Sequence, residues 1–343
     1  MTILRIAAVA TLAFIASTCN TKCTGDACGR DLAAGTGKAL TIAVVPKGTT
    51  HEFWKSIHAG AIQAQQELSA QGIPVQIIWK GPLREDNREL QVQVVEGFIT
   101  QGVQGIVLAP LDNRALVRPV EEAKRAGVPT VIIDSGLETD QIVSFVATDN
   151  RKGGELAADH MAQLVNEKGK VLLLRYAEGS ASTHEREEGF LAQMRAKHPG
   201  VEVISSDQYA GATRETAKRA AENLLNRYGN ELQGVFTVNE TATIGMLIAL
   251  QDMNKAGKLK FIGFDVSPIL LDAMRAGQLH GIAVQNPMRM GYLGVKAMVD
   301  HLRGQPVERR VDTGVTLVTP ANLDSARVKD LVNPPVDRYL KGP

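Results

Sequence analysis

Cysteine is missing from almost the whole chain. Of 343 residues only Cys19, Cys23 and Cys28 carry a thiol, so the folded part has no cysteine nucleophile. Other catalytic signatures are absent too: there is no Gly-x-Ser-x-Gly elbow and no His-Glu-x-x-His pair, which removes two common hydrolase arrangements. Phosphate loops are lacking. Gly35-Thr-Gly-Lys38 has neither the upstream glycine nor the following Ser/Thr of a P-loop, and Pro46–His51 contains no Gly-x-Gly-x-x-Gly, so no nucleotide cofactor is expected. Nor is there an excess of one charge. The 38 basic and 37 acidic residues leave a net charge of +1 with no basic stripe, which argues against a nucleic-acid partner. The seven histidines show no ligand spacing; His58 and His160 read as helix-surface residues, and no metal is expected.

Long apolar runs are lacking as well. The stretch Ile6–Ala16 after Arg5 covers about eleven residues, too short to span a bilayer and suited to the h-region of a secretory signal. The three cysteines follow it directly. Cys19 stands where a lipidated cysteine would, although Thr18 is larger than the usual preceding residue; simple cleavage leaving a tether through Lys38 is the alternative. Cys23 and Cys28 could pair in an oxidising compartment, whereas a zinc site would have three cysteines and no nearby histidine to complete it. Every one of these readings makes the protein exported.

From Leu40 onward short apolar runs alternate with amphipathic stretches. Strands are expected at 41–45, 75–79, 105–109, 130–133, 143–146, 170–174, 201–205, 234–238, 259–264 and 281–284. Helices are expected at 53–71, 87–101, 113–126, 152–167, 186–197, 214–227, 241–256, 269–276 and 287–302. Gly72, Gly102, Gly127, Gly257, Gly277 and Gly304 stand where left-handed C-caps are wanted. Repeated βα units imply mostly parallel sheets with helices on both faces. Ten strands are too many for one sheet here, so two lobes are expected.

Four of the apolar runs stop at a residue able to grip a hydroxyl: Asp134, Asn239, Asp265 and Gln285. Ligands of open α/β sheets bind in the crevice at the carboxyl ends of the strands, so the four together suggest a ligand with several hydroxyls. Asp134 offers charge-assisted hydrogen bonds to vicinal hydroxyls, and Asn239 and Gln285 both donate and accept. The first βα loop, Lys47–Glu52, is polar and runs into Phe53 and Trp54. An aromatic face can stack on a sugar ring. Helix neighbours point about 100° apart, so one of the two should instead plug the core. Arg186 opens the helix expected at 186–197, where the macrodipole disfavours an unpaired cation; it is read either as part of a solvated charge cluster or as a fork of donors aimed into the crevice. Asp134 and Asp265 could form a glycosidase pair, but their strand-end positions fit binding equally well.

The segments Ile42–Gly60, Val131–Gly154, Gly179–Phe190, Val235–Glu240, Ile262–Asp265 and Ala283–Gly291 together make the chain resemble the ribose/galactose-type periplasmic substrate-binding proteins, which share their fold with the effector domains of LacI-type repressors. The resemblance covers about Leu40 to Leu323. It implies the type I periplasmic binding protein architecture: two Rossmann-like α/β lobes with parallel sheets, joined by a three-stranded hinge. The implied division is residues 40–148 plus 286–314 for one lobe and 149–285 plus 315–343 for the other, after a signal and tether over 1–39. It also implies ligand contacts at Lys47, His51, Phe53, Trp54, Asp134, Ser135, Arg186, Asn239, Asp265 and Gln285. Ser135 replaces the arginine usual in ribose binders, Lys47 and His51 replace small or amide side chains, and Ala212, with Tyr209 nearby, stands where the second lobe usually has an aromatic. These departures put ribose itself in doubt and suggest a larger sugar, or one whose acidic group could meet Lys47. The expected function is capture of a sugar by lobe closure and delivery to an ABC permease, by a monomer without cofactor or enzymatic activity. The alternative is a sensor partner of a chemoreceptor or membrane histidine kinase. A repressor would need an N-terminal helix-turn-helix, where this chain has a signal-like segment.

Overall fold

The computed structural model describes residues 39–341. The expected signal segment, the tether and Cys19, Cys23 and Cys28 lie outside the described residues.

Two six-stranded sheets carry the fold. The first holds β1 (Leu40–Val45), β2 (Val75–Trp79), β3 (Gly105–Leu108), β4 (Thr130–Ile133), β5 (Ser144–Ala147) and β11 (Arg310–Asp312), in the order β11-β5-β4-β3-β1-β2. The second holds β6 (Gly169–Leu174), β7 (Val201–Ser205), β8 (Gly234–Thr237), β9 (Lys260–Phe264), β10 (Gly281–Gln285) and β12 (Val315–Val318), in the order β12-β10-β9-β8-β6-β7. Position by position the two orders are the same. Every pairing is parallel except β10 with β12, which run antiparallel. The central strands β3, β4 and β8 are buried throughout, which is why they read as unbroken apolar runs and not as alternating ones.

Helices cover both faces. The helices are α1 (Glu52–Ala70), α2 (Arg88–Gln101), α3 (Val117–Arg125), α4 (Asn150–Leu164), α5 (Ala181–Lys197), α6 (Arg214–Tyr228), α7 (Glu240–Asp252), α8 (Pro268–Arg275), α9 (Pro287–Leu302), α10 (Ala326–Val332) and α11 (Val336–Leu340). Each lobe has one apolar core on either side of its sheet. The chain passes between lobes after β5, after β10 and between β11 and β12. The hydroxyls of Thr148 and Thr313 lie 3.3 Å apart, and the backbone N–H groups of Asp149 and Gly314 both donate to Asp312 Oδ1.

In each lobe one helix pair packs backbone to backbone. A Cβ added to Gly60 of α1 would lie 1.9 Å from the Met288 carbonyl oxygen of α9, and one on Gly291 would lie 2.0 Å from that of Ile57. In the other lobe a Cβ on Gly154 of α4 would lie 2.0 Å from the Arg186 oxygen, and one on Gly189 of α5 2.2 Å from that of Arg151. Only glycine allows that approach.

Three helix boundaries differ from expectation by four residues or more. Helix α3 starts four residues late because Asp112 Oδ1 accepts from the N–H groups of Arg114 and Ala115, holding that stretch as a turn. Helix α5 starts at Ala181, five residues early, so Arg186 sits in the second turn and the macrodipole argument about it falls. Helix α7 ends at Asp252, so Gly257, with φ of 77°, belongs to the following turn and is not its C-cap. Two strands, β11 and β12, and the C-terminal helices α10 and α11 escaped the sequence reading. His58 and His160 are half-buried: His58 stacks on Trp79 at 4.4 Å, and His160 Nε2 lies 3.1 Å from the His280 oxygen.

Candidate functional site

The carboxyl ends of both sheets face one cleft. Nine of the ten expected residues line it: Lys47, His51, Phe53, Trp54 and Asp134 from one lobe, and Arg186, Asn239, Asp265 and Gln285 from the other.

Two aspartates anchor the cleft. Asp134 leaves β4 at φ 63° and Asp265 leaves β9, the equivalent strand, at φ 67°. Non-glycine residues rarely adopt this left-handed geometry; Asp and Asn tolerate it best. In the first lobe Lys47, only 4 % exposed, reaches from the loop after β1 to within 3.0 Å of Asp134 Oδ2 and donates across the cleft to Ser182 Oγ at 3.2 Å. In the second lobe Arg186, 2 % exposed, donates from Nε to Asn150 Oδ1 and from Nη1 to the Val238 oxygen, both at 2.8 Å. Its Nη1 lies 3.8 Å from Asp265 Oδ2, and its guanidinium carbon sits 3.9 Å from the centre of the Phe264 ring. Burial lowers the Arg186 pKa against the pull of Asp265 and Asp134. Burial likewise raises that of Asp265, against Arg186 and the Gln285 amide. Arg186 is therefore a fixed part of the wall and not a member of a solvated cluster.

The remaining second-lobe groups are arranged around Asp265. Gln285 Nε2 donates to its Oδ1 at 2.7 Å, and the Glu240 N–H donates to its Oδ2 at 3.2 Å. Asn239 caps α7 by accepting from the Ala242 N–H at 3.1 Å, which leaves its amide nitrogen free to donate into the cleft.

Phe53 and Trp54 meet edge to face with centroids 5.0 Å apart. Both join the core beneath and both line the cleft, so neither is purely a plug. Trp54 Nε1 donates to Glu85 Oε1 at 2.6 Å, His51 Nδ1 lies 3.2 Å from the same oxygen, and the Tyr176 hydroxyl donates to Oε2 at 2.6 Å from the opposite lobe. Burial alone would push the Glu85 carboxyl up. The hydrogen bond and charge of His51, the Tyr176 hydroxyl and the Lys47 charge outweigh it and hold the pKa at about 2. Burial and the Glu85 charge push the Tyr176 phenol well up, so it remains a donor.

Ser135 is the expected residue that does not line the cleft. The chain turns tightly at Asp134, with the Ser135 N–H on the Ile133 oxygen at 2.7 Å, and Ser135 Oγ accepts from the Ser182 N–H across the lobes. Ala212 and Tyr209 do not supply the second-lobe aromatic either. Tyr209 is 42 % exposed, and the aromatic in the cleft is Tyr176, two residues past β6. Sequence reasoning missed Glu85, Tyr176 and Glu240. Tyr176 and Glu240 lie near strand ends as the four recognised residues do, whereas Glu85 comes from the β2–α2 loop and had no such signal.

The lobes are drawn together, and the space left in the cleft is about 30 Å³, enough for one water. A space of that size does not admit a ring-sized ligand. A larger chamber of about 550 Å³ adjoins the cleft behind Phe53, Asp265 and Gln285, walled by the segment that carries α10 and α11. Among the described residues no group of three or more His, Cys, Asp or Glu side chains could hold a metal ion, and no helix is long and apolar enough to cross a membrane.

Residues 42–306 match the family model described as periplasmic binding protein domain. The ribose import binding protein of Bacillus subtilis is 30% identical over 289 residues, covering 83% of this chain and 89% of its own. Among solved structures, a carbohydrate transporter solute-binding protein from Agrobacterium radiobacter in complex with D-arabinose aligns with TM-score 0.82 and 33% identity over 86% of this chain and 99% of that one. An ABC transporter solute-binding protein from Agrobacterium vitis with bound D-fucose gives 0.80 and 34% over 85% and 99%. With a matching two-lobed frame and a cleft between strand ends, the chain belongs to the periplasmic binding protein family.

Proposed function

We propose that this protein is the sugar receptor of an ABC-type importer, closing its two lobes, 40–148 plus 286–314 and 149–285 plus 315–343, around one sugar and presenting it to the membrane permease. The observation that carries the reading is the convergence of Asp134, Arg186, Asn239, Asp265 and Gln285 from both lobes on a single cleft. Carboxylates, an amide pair and an arginine fork match a ring of hydroxyls that each donate and accept. The edges and faces of Phe53 and Trp54 supply the apolar wall that such a ring needs. The relatives named above bind ribose, D-arabinose or D-fucose, which supports a pentose or hexose here. The signal-like segment Ile6–Ala16 supports export, with Cys19 as the lipid anchor, and the receptor acts as a monomer. Micromolar affinity needs about −8 kcal/mol, within reach of a few charge-assisted bonds after ordering costs.

The test is a thermal-shift screen of the wild type and Asp265→Asn against monosaccharides, polyols and sugar acids. Asparagine keeps the left-handed backbone and loses the charge. The wild type should be stabilised by at least one sugar, and the variant should fold yet lose that stabilisation. A wild type that no sugar stabilises, or a variant that responds like the wild type, would refute the reading.

A further inference from the structure

Glu240 begins α7 and faces the cleft, 3 % exposed. Its two carboxylate oxygens are treated differently. Oε1 accepts from Arg214 Nη2 at 3.2 Å at the rim, whereas Oε2 is buried and has no hydrogen-bond partner. A buried acceptor left unmade is costly and is normally paired. The backbone of the same residue is fixed, because its N–H donates to Asp265 Oδ2. The unpaired oxygen is therefore held at a set position in the second-lobe wall, beside Asn239 and Asp265.

The charges around the cleft limit what can meet that oxygen. Four carboxylates line it: Glu85, Asp134, Glu240 and Asp265. The cations are already engaged, Lys47 with Asp134 at 3.0 Å and Arg186 with Asn150, the Val238 oxygen and Asp265. Two permanent cations thus face four carboxylates on the lining, so a ligand carboxylate meets an excess of negative charge. Gln285 Oε1, also buried without a partner, adds a second waiting acceptor on the same wall.

Resting on the sugar-receptor reading, we infer that Glu240 is a specificity-determining residue: its Oε2 accepts a ligand hydroxyl and, with the carboxylates around it, restricts the site to neutral sugars and excludes sugar acids. The ordinary expectation for a ligand carboxylate is repulsion from Glu240 and Asp265 together. A neutral hydroxyl donates to Oε2 and can accept from the Asn239 amide.

The experiment is calorimetric titration of the full chain at pH 8, where Glu240 is mostly ionised, with D-ribose, D-arabinose, D-fucose, D-galactose and D-galacturonate. The last three share ring stereochemistry and differ at C6, methyl against hydroxymethyl against carboxylate. Wild type, Glu240→Gln, Glu240→Ala and Asp265→Asn are compared, with melting curves to establish folding. The wild type should bind its best neutral sugar, and the acid at least tenfold more weakly than D-galactose or not at all. Loss of the charge in Glu240→Gln should weaken the best neutral sugar by about tenfold, since charge-assisted bonds are about twice as strong as neutral ones, and Glu240→Ala should weaken it further. Folded Glu240 variants with wild-type affinity, or D-galacturonate bound as tightly as D-galactose, would overturn the inference while a dead Asp265→Asn left the sugar reading standing. A wild type binding none of the neutral sugars would overturn both.

Discussion

The two lobes use one plan with different hardware. Both place an aspartate in the left-handed region after the equivalent strand, Asp134 after β4 and Asp265 after β9. Both bring one helix pair together through glycines, α1 with α9 and α4 with α5. They differ in the cation. The second lobe holds Arg186 on a helix, locked by partners from its own lobe and covered by Phe264. The first lobe uses Lys47 on a loop, with a flexible four-carbon arm and one of its two contacts across the cleft. The second lobe is thus a preorganised wall, and the first is the adjustable face.

The largest effect is expected where the plan is shared. Gly154→Ala would place a methyl 2.0 Å from the Arg186 carbonyl oxygen, and Gly60→Ala one 1.9 Å from that of Met288. Neither backbone can yield without separating its helices, so each should cost about 3 kcal/mol, read by chemical denaturation. The comparison sharpens in binding. Gly154→Ala displaces the turn that carries Arg186 and should abolish sugar-induced stabilisation at any temperature where the protein is folded, whereas Gly60→Ala should weaken it only in part. Equal binding by the two variants would break the assignment of the rigid wall to the second lobe.

A smaller contrast follows from the cations themselves. Arg186→Met leaves the Asn150 and Val238 oxygens without their donor inside the second lobe and removes the cation 3.8 Å from Asp265. Loss of one partner of such a pair costs about 3–5 kcal/mol. Lys47→Met strands Asp134 on the cleft wall, where parting of the lobes rehydrates it, so the cost should be on the order of 1–3 kcal/mol. Unfolding free energies of the two variants in the absence of sugar decide this; equal losses would remove the distinction between fixed and adjustable faces.

What the sequence disclosed follows the same division. Asp134, Asn239, Asp265 and Gln285 were legible because doubly buried strands are continuous apolar runs, and the residue that ends one is conspicuous. Glu85 and Tyr176 were not, because their partnership exists only when the lobes meet: the Tyr176 hydroxyl and the Glu85 carboxylate are 91 residues apart and come from opposite lobes. Ser135 was placed at the ligand by the family resemblance, and past the turn at Asp134 its Oγ accepts from the Ser182 N–H. Strand β11, Arg310–Asp312, is three residues with mostly exposed side chains at a sheet edge, so neither apolar length nor alternation announced it. The start of α5 was misplaced because Ser180 makes no side-chain cap bond and the polar run Ser182–Glu188 hides the helical period.

The smallest expected effect compares two cleft carboxylates whose charges both act on His51. Glu85, in the first lobe, has donors on both oxygens and a pKa held at about 2. Glu240, in the second, is pushed up to about 7, first by burial and then by Asp265 and Glu85, against the charges of His51 and Arg214. Between pH 4.5 and 7 the folded protein keeps on Glu240 a proton that the unfolded chain has released, so this group adds stability as pH falls through that window. His51 acts in the same direction. Burial lowers its pKa, but the hydrogen bond and charge of Glu85 and the charge of Glu240 raise it overall, so its contribution is complete below 6.5 and lost as pH rises. Glu85 works in the opposite sense, contributing above 4.5 and losing its contribution as pH falls toward 2. The sugar-free protein should therefore melt higher at pH 5.5 than at pH 8, and lower again below pH 4. The Glu240 gap is worth at most about 3 kcal/mol, and a realised third of that would move the melting point by about 2–4 °C. Glu240→Gln should raise stability at pH 8 and flatten the limb between 5.5 and 8, leaving only the His51 share, while Glu85→Gln should lower stability at pH 5.5 and soften the fall below pH 4. If Glu240→Gln melts lower than the wild type at pH 8, the carboxylate is satisfied in solution, and the asymmetry between the two lobes' acids is not a property of the folded protein.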